Sequence, residues 1–85
     1  MFHILAVDDD KNTRRLIHAV LEKEGYTVTG AENGEEALKI LETEHIDLIV
    51  LDIMMPKING YELTETLRDM GNEIPILMVS AKQLP

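Results

Sequence analysis

The chain has 85 residues, of which 45% are hydrophobic, and it contains no cysteine, so disulfide bonds and thiolate metal ligands are excluded. A chain of this length forms one small domain with a modest core. Its formal charge of −8, with basic side chains scattered rather than arranged in a stripe, argues against direct nucleic-acid binding, which requires Lys and Arg to neutralise phosphates.

The first predicted element is a buried strand. Residues 2–7 form an apolar run that stops at Asp8, and its length and β-branched content are typical of a strand covered on both faces. The run is too short to span a membrane, and it lacks the basic leader and small-residue cleavage site of a signal peptide. We therefore expect a cytoplasmic protein that makes no contact with a membrane.

A helix is expected after this strand. Asn12 is a candidate N-cap, and Gly25 is placed to end the helix. Asp10 is expected to help begin the helix, because its negative charge lies near the positive end of the helix dipole. A second, short strand is predicted at residues 26–29, where β-forming residues cluster. The apolar residues of the first helix fall on one face, and they are Leu16, Ile17, Val20 and Leu21.

The second helix begins with a capping-box pattern, in which Asn33 precedes Glu36 by three positions. Residues 46–51 follow as the most hydrophobic strand, and this strand stops at Asp52. The apolar stripe of the second helix consists of Ala37, Leu38 and Leu41.

The third helix is expected to open at Asn59 or Gly60 and to close at Gly71. Residues 74–79 form the fourth predicted strand, where Pro75 is tolerated because it lies near the start. The helix has apolar residues at i, i+4 and i+7, namely Leu63, Leu67 and Met70.

The order β-α-β-α-β-α-β predicts a parallel sheet with right-handed crossovers. Covering both faces with helices requires one reversal of strand order, most simply 2-1-3-4, as in doubly wound flavodoxin-like folds. Ligand sites in such sheets lie at the carboxyl ends of the strands beside the reversal. Asp8, Asp9 and Asp52 follow those two strands, so we expect their carboxylates to converge.

Converging carboxylates suit Mg²⁺, which prefers octahedral oxygen coordination. A carboxylate can also attack phosphorus and become an aspartyl phosphate, while the metal neutralises charge on both reactants. Ser80 directly follows the fourth predicted strand at the same edge, where its hydroxyl could donate to a phosphoryl oxygen, and Lys82 lies two residues further on.

With these features the chain resembles the receiver domain of two-component response regulators. The similarity rests on four motifs in the same order as in that family, each at a strand end, and it extends over the whole chain. The motifs are Val-Asp-Asp-Asp at residues 7–10, Leu-Asp-Ile-Met-Met-Pro at residues 51–56, Asn59-Gly60, and Val-Ser-Ala-Lys at residues 79–82.

The resemblance implies a role for each matching residue. Asp52 would accept a phosphoryl group from a phosphohistidine of a sensor histidine kinase. Asp9 would bind Mg²⁺ directly, Asp8 mostly through a water molecule, and the Met54 backbone carbonyl would complete the protein ligands. The remaining positions would act around the phosphoryl group: Ser80 as the switch hydroxyl, Ala81 as the small residue that leaves room for phosphate, and Pro56 and Gly60 as residues that shape the adjacent loop.

The chain also departs from the family pattern. The family has five strands and five helices, whereas these 85 residues correspond to a partial receiver domain without helix four, strand five and helix five. The family's lysine after strand five has no counterpart here, and Lys82 does not match it. We therefore expect weak Mg²⁺ binding, little accumulation of aspartyl phosphate, self-association through the exposed strand-four side, and an output domain or effector beyond Pro85.

Three other interpretations remain to be compared. A Mg²⁺-dependent aspartyl-nucleophile phosphatase is suggested by Asp8-x-Asp10. The motif of that family requires Thr or Val four residues after the first aspartate, and this chain has Asn12 there. An EF-hand calcium loop starting at Asp8 would require Gly at its sixth position and Glu at its twelfth. This chain has Thr13 and Ala19 at those positions, so that interpretation fails. A receiver-like interaction module that is never phosphorylated also stays open. On the leading interpretation the chain is a phosphoryl acceptor that assists its own phosphorylation, and not a turnover enzyme.

Overall fold

The computed structural model describes residues 1–52 and 60–79. Its four strands form one parallel sheet in the order β2-β1-β3-β4, which confirms the predicted α/β fold and strand order. None of the helices in the described part of the chain is long and apolar enough to cross a membrane. The elements are β1 (His3–Val7), α1 (Lys11–Lys23), β2 (Thr27–Ala31), α2 (Gly34–Thr43), β3 (Leu48–Asp52), α3 (Gly60–Asp69) and β4 (Ile76–Val79).

The hydrophobic core lies on the sheet face covered by α2 and α3. Alternate residues of β1 and β3 point into it, since successive side chains of a strand face opposite sides. Ala37 of α2 and Leu63 and Leu67 of α3 close this core from outside the sheet. The buried sheet residues in the cluster are Leu5, Val7, Ala31, Ile49 and Leu51.

Helix α1 lies on the opposite face, which is less completely covered. Its predicted apolar stripe exists, yet Leu16 is 65% exposed and Val20 is 53% exposed. These two residues line an apolar groove of about 340 Å³, together with Ile17, Leu21, Val50 of β3 and Leu77 of β4. This face therefore presents apolar surface to solvent.

The start of α1 corrects the predicted N-cap. Asp10, with the extended backbone angles of a cap, accepts a hydrogen bond from the backbone N–H of Asn12 at 2.9 Å and one from Thr13 Oγ1 at 3.0 Å. Asn12 is the second residue of the helix, so its assignment as the cap is wrong. The cap must precede the first helical residue, and that position belongs to Asp10, whose expected role in beginning the helix agrees with the structure.

Replacing Asp10 by alanine should destabilise the chain by about 1 kcal/mol, because the first turn of α1 loses an acceptor for its free N–H groups. Urea unfolding followed by circular dichroism measures the effect. Asn12→Ala serves as the control, and we expect a smaller loss there. An equal or larger loss for Asn12→Ala would show that the Asp10 cap is not the main stabilising feature of this helix end.

The other helix ends follow the sequence signals. Asn33 Oδ1 accepts from the Glu36 N–H at 2.9 Å, and the Glu36 carboxylate accepts from the Glu32 N–H at 2.9 Å, one residue before the cap. Gly25 and Gly71 follow α1 and α3 with φ angles of 94° and 78°, a backbone conformation that glycine adopts without strain.

The strand limits differ from the predicted ones by one or two residues. Strand β2 extends to Ala31 because Gly30 and Ala31 pair with the end of β1, a tertiary contact that overrides their low strand propensity. Ile46 is buried although it precedes β3, since it packs into the core from the connecting segment. The placement of Met70 in the apolar stripe of the third helix is wrong, because α3 ends at Asp69 and Met70 is 65% exposed.

Candidate metal centre

Three carboxylates meet at the carboxyl edge of the sheet. Val7 and Leu51 are register partners in the central β1–β3 pair, so Asp8 and Asp52 come next on two adjacent strands. One carboxylate oxygen from each of Asp8, Asp9 and Asp52 can be chosen so that the three lie within 4.8 Å of one another. Asp8 is 3% exposed and Asp52 is 2% exposed, whereas Asp9 lies at the surface. The structure thus brings together the three carboxylates that the sequence placed at this edge.

Asp8 is held by three hydrogen bonds, made by its N–H, its carboxylate and its carbonyl oxygen. Its N–H donates to the Ala31 carbonyl at 3.0 Å and prolongs the β1–β2 ladder. Its carboxylate accepts from the Asp10 N–H at 2.9 Å. Its carbonyl oxygen accepts from Arg14 Nη1 at 2.7 Å, a contact that is not among the sequence-based predictions. The only sequence signal for it is that Arg14 lies one turn into the helix that follows Asp8.

The electrostatics of this cluster favour the entry of a cation. Burial raises the pKa of Asp8 above its ordinary value of 3.8, and the negative charges of Asp52, Asp9 and Asp10 raise it further, against the hydrogen bond from the Asp10 N–H. Two buried carboxylates side by side are costly unless positive charge compensates them. An all-oxygen donor set of this kind fits Mg²⁺, which usually takes one or two protein carboxylates and keeps several waters.

Replacing Asp8 by asparagine should stabilise the chain at pH 7 in metal-free buffer. Because the folded-state pKa is raised, an ionised Asp8 destabilises the folded chain at pH values above that pKa, and this cost disappears as the pH falls through the raised pKa to below 3.8. Asparagine can still accept from the Asp10 N–H. Urea midpoints at several pH values measure the difference, which should shrink toward low pH; a variant less stable at pH 7 would show that the repulsion is negligible.

The remaining predicted site residues lie outside the described part of the chain. Met54, Ser80 and Ala81 belong to residues 53–59 and 80–85, so their assigned roles stay predictions. Strand β4 ends at Val79, the register partner of Asp52. The last described residue of β4 therefore lies beside the acidic cluster.

Comparison with known proteins assigns the chain to a family. Residues 4–84 match the family model of the response regulator receiver domain. The alkaline phosphatase synthesis transcriptional regulatory protein PhoP of Bacillus subtilis is 51% identical over 79 residues, which are 93% of this chain and 33% of that protein. The probable transcriptional regulator ycf27 of Cyanidium caldarium is 49% identical over 93% of this chain and 31% of that protein. The chain thus spans about a third of the length of these curated relatives.

Solved structures give the same assignment. The response regulator TrrA of Thermotoga maritima, in complex with Mg²⁺-BeF, is 42% identical with a TM-score of 0.89, covering 98% of this chain and 72% of that chain. TrrA in complex with the histidine kinase ThkA has a TM-score of 0.88, covering 99% of this chain and 72% of that chain. The chemotaxis protein CheY4 of Vibrio cholerae is 33% identical with a TM-score of 0.90, covering 100% of this chain and 72% of that chain. The family match and the fold of these solved structures agree, and the chain belongs to the response regulator receiver domain family.

Proposed function

We propose that the chain is a phospho-accepting signalling domain in which Asp52 takes a phosphoryl group from the phosphohistidine of a sensor histidine kinase. A carboxylate oxygen of Asp52 attacks phosphorus, the phosphorus–nitrogen bond breaks, and the histidine leaves with the electron pair. The chain supplies the nucleophile and the metal ligands, so it assists its own phosphorylation and does not act as a turnover enzyme.

The convergence of Asp8, Asp9 and Asp52 is the observation that carries this proposal. Asp52 ends the central strand β3 and is 2% exposed, so the sheet fixes the position of the residue proposed as the nucleophile. Asp8 and Asp9 lie beside it and would hold Mg²⁺, with the Met54 carbonyl as a further ligand. When bound, Mg²⁺ supplies positive charge that offsets the repulsion between the carboxylate and the incoming phosphoryl group.

The relatives support the same chemistry. TrrA was solved with Mg²⁺-BeF and, separately, with a histidine kinase, and this chain is 42% identical to it. PhoP and ycf27 are named as transcriptional regulators, which supports a role for this chain in switching an output domain or effector. The cytoplasmic location stays a prediction. Ser80 and Ala81 would act in that switch. That the 85 residues form a partial receiver domain also stays a prediction.

Phosphoryl transfer from acetyl phosphate tests the proposal. The product is trapped by borohydride reduction and located by tandem mass spectrometry, since we expect low occupancy at any moment. Label at Asp52 that requires Mg²⁺ would support the proposal. Label at Asp8 or Asp9 instead, or equal label in metal-free buffer, would overturn it. A stoichiometric, stable phosphoryl group at Asp52 would support the acceptor role and contradict only the expected low yield.

We also propose that the chain associates with a second copy through the β4 side of the sheet. Strand β4 is an edge strand among the described residues, and it exposes apolar side chains on both faces: Leu77 is 54% exposed and Met78 is 36% exposed. Edge strands of this kind pair readily with other chains. The net charge of −8 opposes association, so we expect more of it as salt screens the repulsion.

Light scattering across protein and salt concentrations should show a dimer that dissociates on dilution. Leu77→Lys should give a monomer, because it places a charge on the edge strand. Thr43→Lys is the control, since it adds the same charge at the exposed end of α2. A wild-type monomer at all concentrations, or equal behaviour of the two variants, would exclude the proposed interface.

A further inference from the structure

A second cavity lies on the opposite side of α1 from the apolar groove. It has a volume of about 370 Å³ and is formed between α1 and the adjoining strands β1 and β2. Ala6, Val28 and Gly30 provide an apolar floor, and polar side chains of α1 form the wall. This α1–β2 cavity includes none of the three converging carboxylates, and its volume is in the range of small-molecule sites.

The wall of the α1–β2 cavity is basic in a strongly acidic protein. Helix α1 contains four of the chain's eight Lys and Arg residues and a single glutamate. Lys11, Arg14 and Arg15 line the cavity, together with His18 and with Glu22, whose carboxylate lies 3.0 Å from the His18 ring. Among the described residues, no carboxylate lies in ion-pair range of the three cationic side chains. Their positive charge is therefore available to a ligand.

The Arg14 side chain crosses the cavity floor at Gly30. A Cβ atom added at Gly30 would lie 3.6 Å from Arg14 Cδ and 3.9 Å from its Nε, so the Arg14 side chain runs directly over this backbone. Arg14 Nη1 is held by the Asp8 carbonyl at 2.7 Å. Arg14 is thus fixed at one end of the cavity, and a guanidinium fixed before binding loses little conformational freedom when it contacts an anion.

We propose that the α1–β2 cavity binds a small phosphate-bearing anion. Arg and Lys side chains match phosphate oxygens in charge and geometry, and two arginines in one cavity allow bidentate contacts. The volume suits a ligand about as large as pyrophosphate or a nucleoside phosphate. A bare inorganic anion would use only the basic wall, whereas an organic phosphate would also cover the apolar floor.

An NMR titration of the 85-residue chain with pyrophosphate and with ADP tests the site. The buffer is stripped of metals and contains about 0.15 M salt, at which nonspecific surface attraction is screened beyond about 8 Å. We expect saturable shifts of the Gly30 and Arg15 amide signals with at least one ligand. Tighter binding of ADP would show that the ligand class is organic, and equal binding would show that the phosphate groups suffice.

Matched variants distinguish binding in the α1–β2 cavity from non-specific attraction of anions to the positive charges of α1. Arg15→Gln should weaken binding roughly tenfold, the factor for losing one hydrogen bond to a charged group. Lys23→Gln removes the same charge from the end of α1, outside the cavity, and should leave the affinity unchanged. Asp52→Asn should also bind normally, since the acceptor site takes no part. Absence of saturable binding, or equal losses for Arg15→Gln and Lys23→Gln in chains that remain folded, would overturn the proposal.

Discussion

Replacing Asp52 by asparagine is expected to abolish Mg²⁺-dependent phosphoryl labelling of the chain. Asparagine keeps the size of the side chain and removes the anionic nucleophile, so no acyl phosphate can form at this position. The folded structure should persist, because the change also removes one of two buried, mutually repelling carboxylates. Mass spectrometry after incubation with acetyl phosphate measures the label, and thermal unfolding followed by circular dichroism confirms that the variant is folded.

The matched control is Asp69→Asn, which removes the same charge at the exposed end of α3. It should leave the label unchanged. Asp9→Asn should reduce the label without moving it, since Asp9 is assigned to the metal and not to the attack on phosphorus. Label that persists at full level in a folded Asp52→Asn chain would show that another carboxylate accepts the phosphoryl group.

Replacing Leu63 by alanine is expected to cause the largest loss of stability, about 2–5 kcal/mol. Leu63 is 0% exposed and joins α3 to the core residues of β1 and β3. Its truncation removes apolar contacts and leaves a cavity that the sheet can fill only in part. Domains of this size have little stability in reserve, so the variant should be partly or wholly unfolded at room temperature.

Leu16→Ala provides the control for this experiment. It deletes the same atoms from a side chain that is 65% exposed, and we expect a change of about 0.5 kcal/mol or less. Urea unfolding of both variants at the same protein concentration gives the comparison. Equal losses would mean that the apolar groove contributes as much to stability as the core does.

Local sequence patterns determined the kind and order of the elements. Apolar runs of strand length and apolar stripes of helical spacing predicted four strands and three helices, and the alternation of the two required a parallel sheet. The glycines at positions 25 and 71 marked helix ends because they adopt positive φ angles, which most residues avoid. The carboxylates at residues 8, 9 and 52 were predictable as a group because topology alone puts the ends of adjacent parallel strands together.

Tertiary contacts decided what the patterns could not. Ile46 is buried from a connecting segment, and Gly30 and Ala31 belong to a strand because β1 pairs with them. The bond from Arg14 to the Asp8 carbonyl, the exposure of Leu16 and the basic α1–β2 cavity depend on how α1 lies against the sheet. Periodicity specifies which residues share a face of a helix, but the packing of that face depends on neighbours far along the chain, and their positions are set only when the whole sheet has formed.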